Sequence, residues 1–250
     1  MDETNPPLLP EMTQVWQHLN WQPNTEQQFL FQRLYESILE GNRQLNLTRI
    51  TEPLEFWEKH LWDSLRPIMP LLGTSSLGIL PAKQKEREFK VIDIGTGAGF
   101  PGIPVAIALP DAQVTLLDST RKKVTFLDTL LAQLGIQNAN TLLGRAEVVG
   151  KQLQHRQAYD LALVRAVGSA SVCAEYALPF LKLGGLAVLY RGNWTKEESE
   201  SLESTVKKLG GAVETVEEFV TPLSNSIRHC VYLRLTAIPL KFGKPVKQSQ

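Results

Sequence analysis

The sequence predicts an α/β fold: a seven-stranded, mostly parallel sheet with helices on both faces, preceded by an N-terminal helical extension. Three observations predict it. From Phe89 onward, short apolar runs of strand length alternate with segments of helical periodicity. The first of those runs leads into a glycine-rich loop that opens a helix, "VIDIGTGAGFPG". Before residue 73 the spacing is helical instead, with Phe31, Leu34 and Ile38 at i, i+3 and i+7.

Taken in order, residues 10–72 read as helices. Trp57, Leu61, Ser64 and Leu65 mark one that ends before Pro67, because the residue ahead of a proline is driven out of the helical region. Residues 1–72 form the extension, packed on the domain that follows. Residues 73–88, "GTSSLGILPAKQKERE", are a linker by their glycines, prolines and charges. The α/β domain spans 89–238. "FKVIDI" is its first strand, "PVAIALPD" a short helix, and "AQVTLLD" the second strand. Residues 121–134 form a helix with Val124, Leu127, Leu131 and Leu134 on one face. "NANTLLG" is the third strand. "YDLALVRA" is the fourth, and its unbroken apolar run suits a strand covered on both faces. Residues 169–181 are helical, "GGLAVLYRG" is the fifth strand, and "TKEESESLESTVKKLG" is a polar-faced helix stopped by Gly210. "AVETVEEF" and "RHCVYLRLTAI" complete the sheet. Residues 239–250 are a basic tail with Lys241, Lys244 and Lys247.

Composition narrows the function. The 26 Lys and Arg balance 26 Asp and Glu, so no global field draws the chain toward nucleic acid. No stretch approaches the ~20 apolar residues of a membrane span. "MDETNPPLLPEM" is acidic and proline-broken, unlike a secretion signal, so a cytoplasmic protein is expected. Cys173 and Cys230 read as reduced thiols. His18, His60, His155 and His229 lack metal-ligand spacing, so no metal is expected. Without a secretion signal, the sequon "NLT" at Asn46 to Thr48 is incidental to glycosylation.

The glycine loop carries the chemistry. Gly95, Gly97 and Gly99 are spaced G-x-G-x-G, unlike the dinucleotide G-x-G-x-x-G. Glycines there permit positive φ and close approach of a ligand to the backbone. Asp93 stands two positions before Gly95, and Asp118 ends the second strand 19 residues after Gly99. An acid in the latter place accepts from both ribose hydroxyls of an adenosine ligand. NAD and S-adenosylmethionine share that ribose. A pyrophosphate wants N–H groups and positive charge, whereas Asp93 suits an ammonium or sulfonium. The spacing therefore favours S-adenosylmethionine, with a ligand-free tight turn and an NAD enzyme as the other readings. "GRAE" after the third strand puts Ala146 and Glu147 where an adenine edge meets a backbone N–H and a carboxylate.

After the fourth strand comes "LVRAVGS". It holds neither an Asn/Asp-Pro-Pro-aromatic run to accept from an exocyclic amine nor a Pro-Cys nucleophile. An acceptor that needs no deprotonation, such as guanine N7, fits that absence. Arg165 is the residue to watch there, either as a structural ion-pair arginine or as a guanidinium holding the cofactor carboxylate or the base.

Together, "NLTRI", "HLWDSL", "DIGTGAGFPGIP", "LLDSTRKKVTFL", "RAE" and "VRAV" resemble the bacterial small-subunit ribosomal RNA methyltransferase G family, also called glucose-inhibited division protein B. The resemblance covers about residues 46–192. It implies a Rossmann-like class I methyltransferase that uses S-adenosylmethionine to methylate N7 of one guanosine in the decoding-region loop of 16S rRNA. The implied partner is the small ribosomal subunit, and a monomer with no metal and no membrane is expected. The implied cofactor residues are Gly95, Gly97, Gly99, Phe100, Asp118, Ser119, Thr120, Ala146, Glu147 and Arg165, with Arg165 also catalytic. His60, Asp63 and Ser64 are implied to close over the cofactor or support the RNA site. Arg191-Gly192 stands where many members have Lys-Gly. A neutral chain that binds RNA must concentrate its charge, so one basic face is expected from Arg121, Lys122, Lys123, Arg165, Arg191 and the tail lysines. A small-molecule methyltransferase and a non-catalytic RNA-binding assembly factor are the alternatives.

Overall fold

In the computed structural model, residues 7–72 and 88–239 are described. The expected linker and basic tail, with Lys241, Lys244 and Lys247, therefore lie almost wholly outside the described residues. The extension holds α1 (Thr13–Gln17), α2 (Thr25–Leu45) and a composite helix. That composite begins as α3 (Pro53–Phe56), runs through a π-helical stretch at Trp57–Trp62, returns to one α-turn, α4 (Asp63–Leu65), and ends in a 3-10 segment at Arg66–Leu71. Pro67 does not stop it. It sits in the first turn of the 3-10 segment, where the missing N–H has no bond to lose. Residues 46–52 are not helical, so the extension is less continuous than its periodicity suggests. At the start of α2, Asn24 accepts from Gln27 N while Gln27 reaches back to Asn24 N, which closes a capping box.

Seven strands follow: β1 (Phe89–Ile94), β2 (Ala112–Asp118), β3 (Ala139–Leu143), β4 (Tyr159–Arg165), β5 (Leu181–Arg191), β6 (Gly211–Val220) and β7 (Ile227–Leu235). Their order is β3-β2-β1-β4-β5-β7-β6. Neighbours are parallel up to β5, and β7 is antiparallel to both β5 and β6. The helices between strands are α5 (Gly102–Ala108), α6 (Arg121–Leu134), α7 (Ala146–Val149), α8 (Ala170–Ala177) and α9 (Lys196–Lys208). The helix expected over 169–181 is shorter, because Leu178–Phe180 is a 3-10 turn and Leu181 already pairs with Tyr159 in the sheet.

Successive strand residues face opposite sides, and this divides the core. Ile92, Ile94, Ala162, Val164, Ala187 and Leu189 pack beneath α8 and α9. Val91, Val114, Leu161, Leu163 and Val188 pack against α5, α6 and the extension, beside Phe31, Tyr35, Phe56 and Trp57. The same alternation fixes what stands at the carboxyl ends. Arg165, Tyr190 and Cys230 are register partners across β4, β5 and β7, and all three lie on the face that meets the extension.

The composite helix is tied to that face by polar contacts. Tyr190 Oη donates to Ser64 O at 2.9 Å and Tyr232 Oη to Pro67 O at 2.9 Å. Arg228 Nε donates to Asp63 Oδ2 at 3.2 Å. Glu58, buried, accepts from Leu223 N at 2.6 Å and Ser224 N at 2.9 Å, holding the β6–β7 turn.

Candidate functional site

The carboxyl ends of β1, β2 and β4 converge on the glycine loop. Gly95, Gly97 and Gly99 have φ of 73°, 62° and 95°, a region that L side chains rarely adopt. Their surroundings differ. A Cβ on Gly95 would lie 2.7 Å from Val167 Cγ2, and one on Gly99 would lie 2.4 Å from Ile103 Cδ1. A Cβ on Gly97 would meet nothing nearer than Gly95 O at 3.9 Å. The first and third glycines are therefore small for packing. The middle one borders open space, and it is where a ligand can lie against bare backbone.

Asp118 fixes that surface. Its Oδ2 accepts from Gly97 N at 3.0 Å and its Oδ1 from Thr120 N at 2.8 Å. One carboxylate thus ties the loop after β1 to the loop after β2, and each oxygen keeps a lone pair. Ser119 and Thr120 are exposed beside it. Asp93 behaves differently from its expected role facing a cation. It is fully buried, and its Oδ2 accepts from Thr96 Oγ1 at 2.6 Å and Gly102 N at 2.8 Å. Its Oδ1 is buried without a partner, and burial pushes its carboxyl up to about 6. Asp93 ties the loop to α5. Ala146 and Glu147 open α7, where Glu147 pairs with Arg145 at 2.6 Å on the surface.

Arg165 comes inward rather than joining a basic surface. Nη1 donates to Lys59 O at 2.9 Å, Nη2 contacts His60 Nδ1 at 3.3 Å, and the guanidinium stands 5.7 Å from the centre of the Phe100 ring. The nearby Asp63 and Asp93 carboxylates favour its charge, while burial lowers its pKa. Phe100 is buried, so its ring belongs to this cluster, and the glycine backbone is what borders the cradle. His60 stacks on Phe100, with ring centres 4.3 Å apart and planes 11° apart, and its Nε2 is 2.9 Å from Thr48 Oγ1. Burial first, then the Arg165 and Lys59 charges, pushes the imidazole down to about 3.

Beside Arg165 lies a cavity of about 430 Å³ whose wall includes Asp63, Tyr190, Arg191, Arg228, His229 and Cys230. Arg191 also has partners: Nη1 donates to Gly168 O at 2.7 Å and Nη2 meets Glu198 at 2.8 Å. Of the expected basic face, Arg121 and Lys122 are exposed and Lys123 is half-buried at the start of α6, while Arg165 and Arg191 are engaged by protein groups.

A family model for the rRNA small subunit methyltransferase G matches residues 27–231. The chain belongs to that family. A relative named ribosomal RNA small subunit methyltransferase G from Nostoc punctiforme is 62% identical over 241 residues, 96% of each chain. One of the same name from Gloeobacter violaceus is 52% identical, covering 92% of this chain and 88% of its own. Among solved structures, a Klebsiella pneumoniae protein described as a candidate O-methyltransferase superposes with a TM-score of 0.52 at 15% identity, over 82% of this chain and 90% of that one. The fold is therefore that of class I methyltransferases. For the S-adenosylmethionine that this fold and family imply, the residues fit: Gly97 leaves a bare-backbone cradle and Asp118 stands at its rim with lone pairs to spare.

Of the residues expected from the sequence, the structure places Gly95, Gly97, Gly99 and Asp118 around the loop after β1, and Phe100 and Arg165 in the buried cluster with His60. Sequence reasoning missed Phe56, Tyr190, Arg228 and the backbone carbonyl of Lys59. It treated Thr48 only as part of an incidental sequon and of the family segment "NLTRI"; Thr48 is the partner of His60. Periodicity has no signal for these pairings. Among the described residues no group of His, Cys, Asp or Glu is arranged to hold a metal ion, and no helix is long and apolar enough to cross a membrane.

Proposed function

We propose that this protein methylates N7 of a guanine in the 16S rRNA of the small ribosomal subunit, with S-adenosylmethionine as donor. Family membership supports rRNA as the substrate class. One observation favours a ring nitrogen that already carries a lone pair: no titratable group on the cavity wall is free to act as a base. His229 places Nδ1 at 2.7 Å from Gly192 O and Nε2 at 3.1 Å from Glu218. Tyr190 donates to Ser64 O, and burial raises its pKa well above the ordinary value. Burial likewise raises the Cys230 thiol, which stays protonated. Asp63 Oδ2 faces Arg228, and its Oδ1, which has no hydrogen-bond partner, has no surface open to the cavity.

The cofactor supplies an electrophilic methyl on sulfur. Gly97 would give it bare backbone, and the lone pairs of Asp118 would accept hydrogen bonds from the ribose hydroxyls. Ala146 and Glu147 would hold the adenine. Arg165 stands at the end of β4 and lines the cavity that takes the base. No proton leaves guanine N7 during attack, so positioning supplies most of the rate. The target base leaves its stack to enter. Arg121, Lys122 and Lys123 stand beside the cradle to meet phosphate, and with few such contacts affinity falls modestly with salt.

The test is to incubate the protein with labelled S-adenosylmethionine and small subunits that lack the modification, then map the label. Label at N7 of one guanine supports the proposal; label on another atom, or on small molecules alone, overturns it. Arg165→Ala is expected to reduce turnover with the fold intact, and unchanged turnover removes Arg165 from the site.

A further inference from the structure

We infer that His60, contributed by the extension, is a positioning residue for Arg165, setting the guanidinium at the end of β4 through a single neutral tautomer. The inference rests on the reading of Arg165 as part of the transfer site.

Direction follows from donor chemistry. A guanidinium only donates. The 3.3 Å contact from Arg165 Nη2 therefore makes His60 Nδ1 the acceptor, and the ring proton sits on Nε2. Nε2 then donates to Thr48 Oγ1 at 2.9 Å. Thr48 is itself fixed, since its Oγ1 also accepts from Ile50 N at 3.0 Å. The ring cannot swing, because it is stacked on Phe100 and has Phe56 edge-on at 5.0 Å and 77°. Two consecutive residues of the π-helical stretch, Lys59 through its carbonyl and His60 through its ring, thus take up one Nη each of the same fork.

The choice of a neutral acceptor has a consequence. A carboxylate at position 60 would form an ion pair and spend the charge of Arg165 on protein. An imidazole fixes the orientation without adding a third carboxylate to the Asp63 and Asp93 that already face Arg165, at the wall of the cavity that Arg165 lines. The same ring stacks on Phe100 of the cofactor loop, so one side chain joins the extension, that loop and β4.

Two substitutions separate the two ring nitrogens. In His60→Asn the side-chain oxygen stands near the position of Nδ1 and keeps an acceptor for Arg165. In His60→Gln the amide nitrogen stands near Nε2, keeping the donor to Thr48 and losing the acceptor. Each is measured for S-adenosylmethionine affinity by calorimetry, for thermal stability, and for kcat and KM on small subunits that lack the modification. Losing a hydrogen bond to a charged group corresponds to roughly 10- to 100-fold in rate. His60→Gln is expected to lower kcat by about that factor, with cofactor affinity within a few-fold of wild type and His60→Asn retaining a clearly higher kcat than His60→Gln. Equal kcat in the two variants, or losses confined to stability, cofactor affinity or KM, overturns the inference. Arg165→Ala run alongside distinguishes the failures. If it leaves turnover unchanged, the reading of Arg165 fails; if it lowers turnover while His60→Gln does not, only the role of His60 fails.

Discussion

His60 lies flat on Phe100, ring centres 4.3 Å apart, although the two residues come from different parts of the fold. One belongs to the helical extension and the other to the loop after β1. The contact makes the extension part of the candidate site rather than an appendage.

The three loop glycines are expected to fail in different ways. Gly97→Ala adds a methyl into open space at φ 62°, so its folding cost is the left-handed penalty, about 1–2 kcal/mol. Cofactor affinity should fall more than stability does, because the methyl occupies the cradle. Gly99→Ala meets Ile103 at 2.4 Å and adds an overpacking cost of about 1–3 kcal/mol to the same penalty. Thermal denaturation and calorimetry with S-adenosylmethionine check both. A larger stability loss in Gly97→Ala than in Gly99→Ala contradicts the assignment.

Asp118→Ala removes the acceptor of both Gly97 N and Thr120 N. Charged acceptors contribute roughly 1.5–3 kcal/mol each, so cofactor affinity should drop at least tenfold. Asp118→Asn should fall between wild type and Ala, since its amide nitrogen faces one of two N–H donors. Calorimetry ranks the three proteins.

His60 should give stability a pH dependence of known sign. Its folded pKa of about 3 lies below the ordinary value of 6.5, so the unfolded chain binds more protons between those limits. Its contribution is full above pH 6.5 and is lost as pH falls toward 3, by up to ~1.4 kcal/mol per unit. Asp93 acts oppositely: its pKa is raised to about 6, so its contribution is present below about pH 4 and lost as pH rises through 6. Denaturant titrations of wild type and His60→Asn at pH 7 and pH 5 isolate the first, because Asp93 is common to both. The difference between the proteins should shrink at pH 5; a constant difference refutes the assignment.

Glu58→Ala leaves Leu223 N and Ser224 N without their acceptor. It should cost about 1–3 kcal/mol and increase amide exchange in the β6–β7 turn, while exchange in β1 and β2 stays as in wild type. Faster exchange across the whole sheet would mean that Glu58 supports the core rather than that turn.

The order of the strands and of the longer helices from Phe89 was legible because each signal is local. The apolar runs of β1, β2 and β4 and the stripe of α6 lie within a few residues of themselves. The glycine loop was legible for the same reason. The composite helix was half legible: its apolar face showed, but the π-helical stretch and the passage through Pro67 did not, because propensity there gives way to packing against β4, β5 and β7.

By itself, then, the sequence determined the order of the strands and of the longer helices, though not the four-residue α7, together with the glycine bend and the acid at the end of β2, since period and spacing are properties of neighbouring residues. Only the tertiary structure decided that Gly97, alone of Gly95, Gly97 and Gly99, borders open space, that Asp93 is a buried tether, and that Arg165 turns inward onto Lys59 and His60. Those contacts join residues 106 and 105 positions apart. Their strength comes from burial and shared alignment, which exist only once the sheet has brought the extension and the strand ends together.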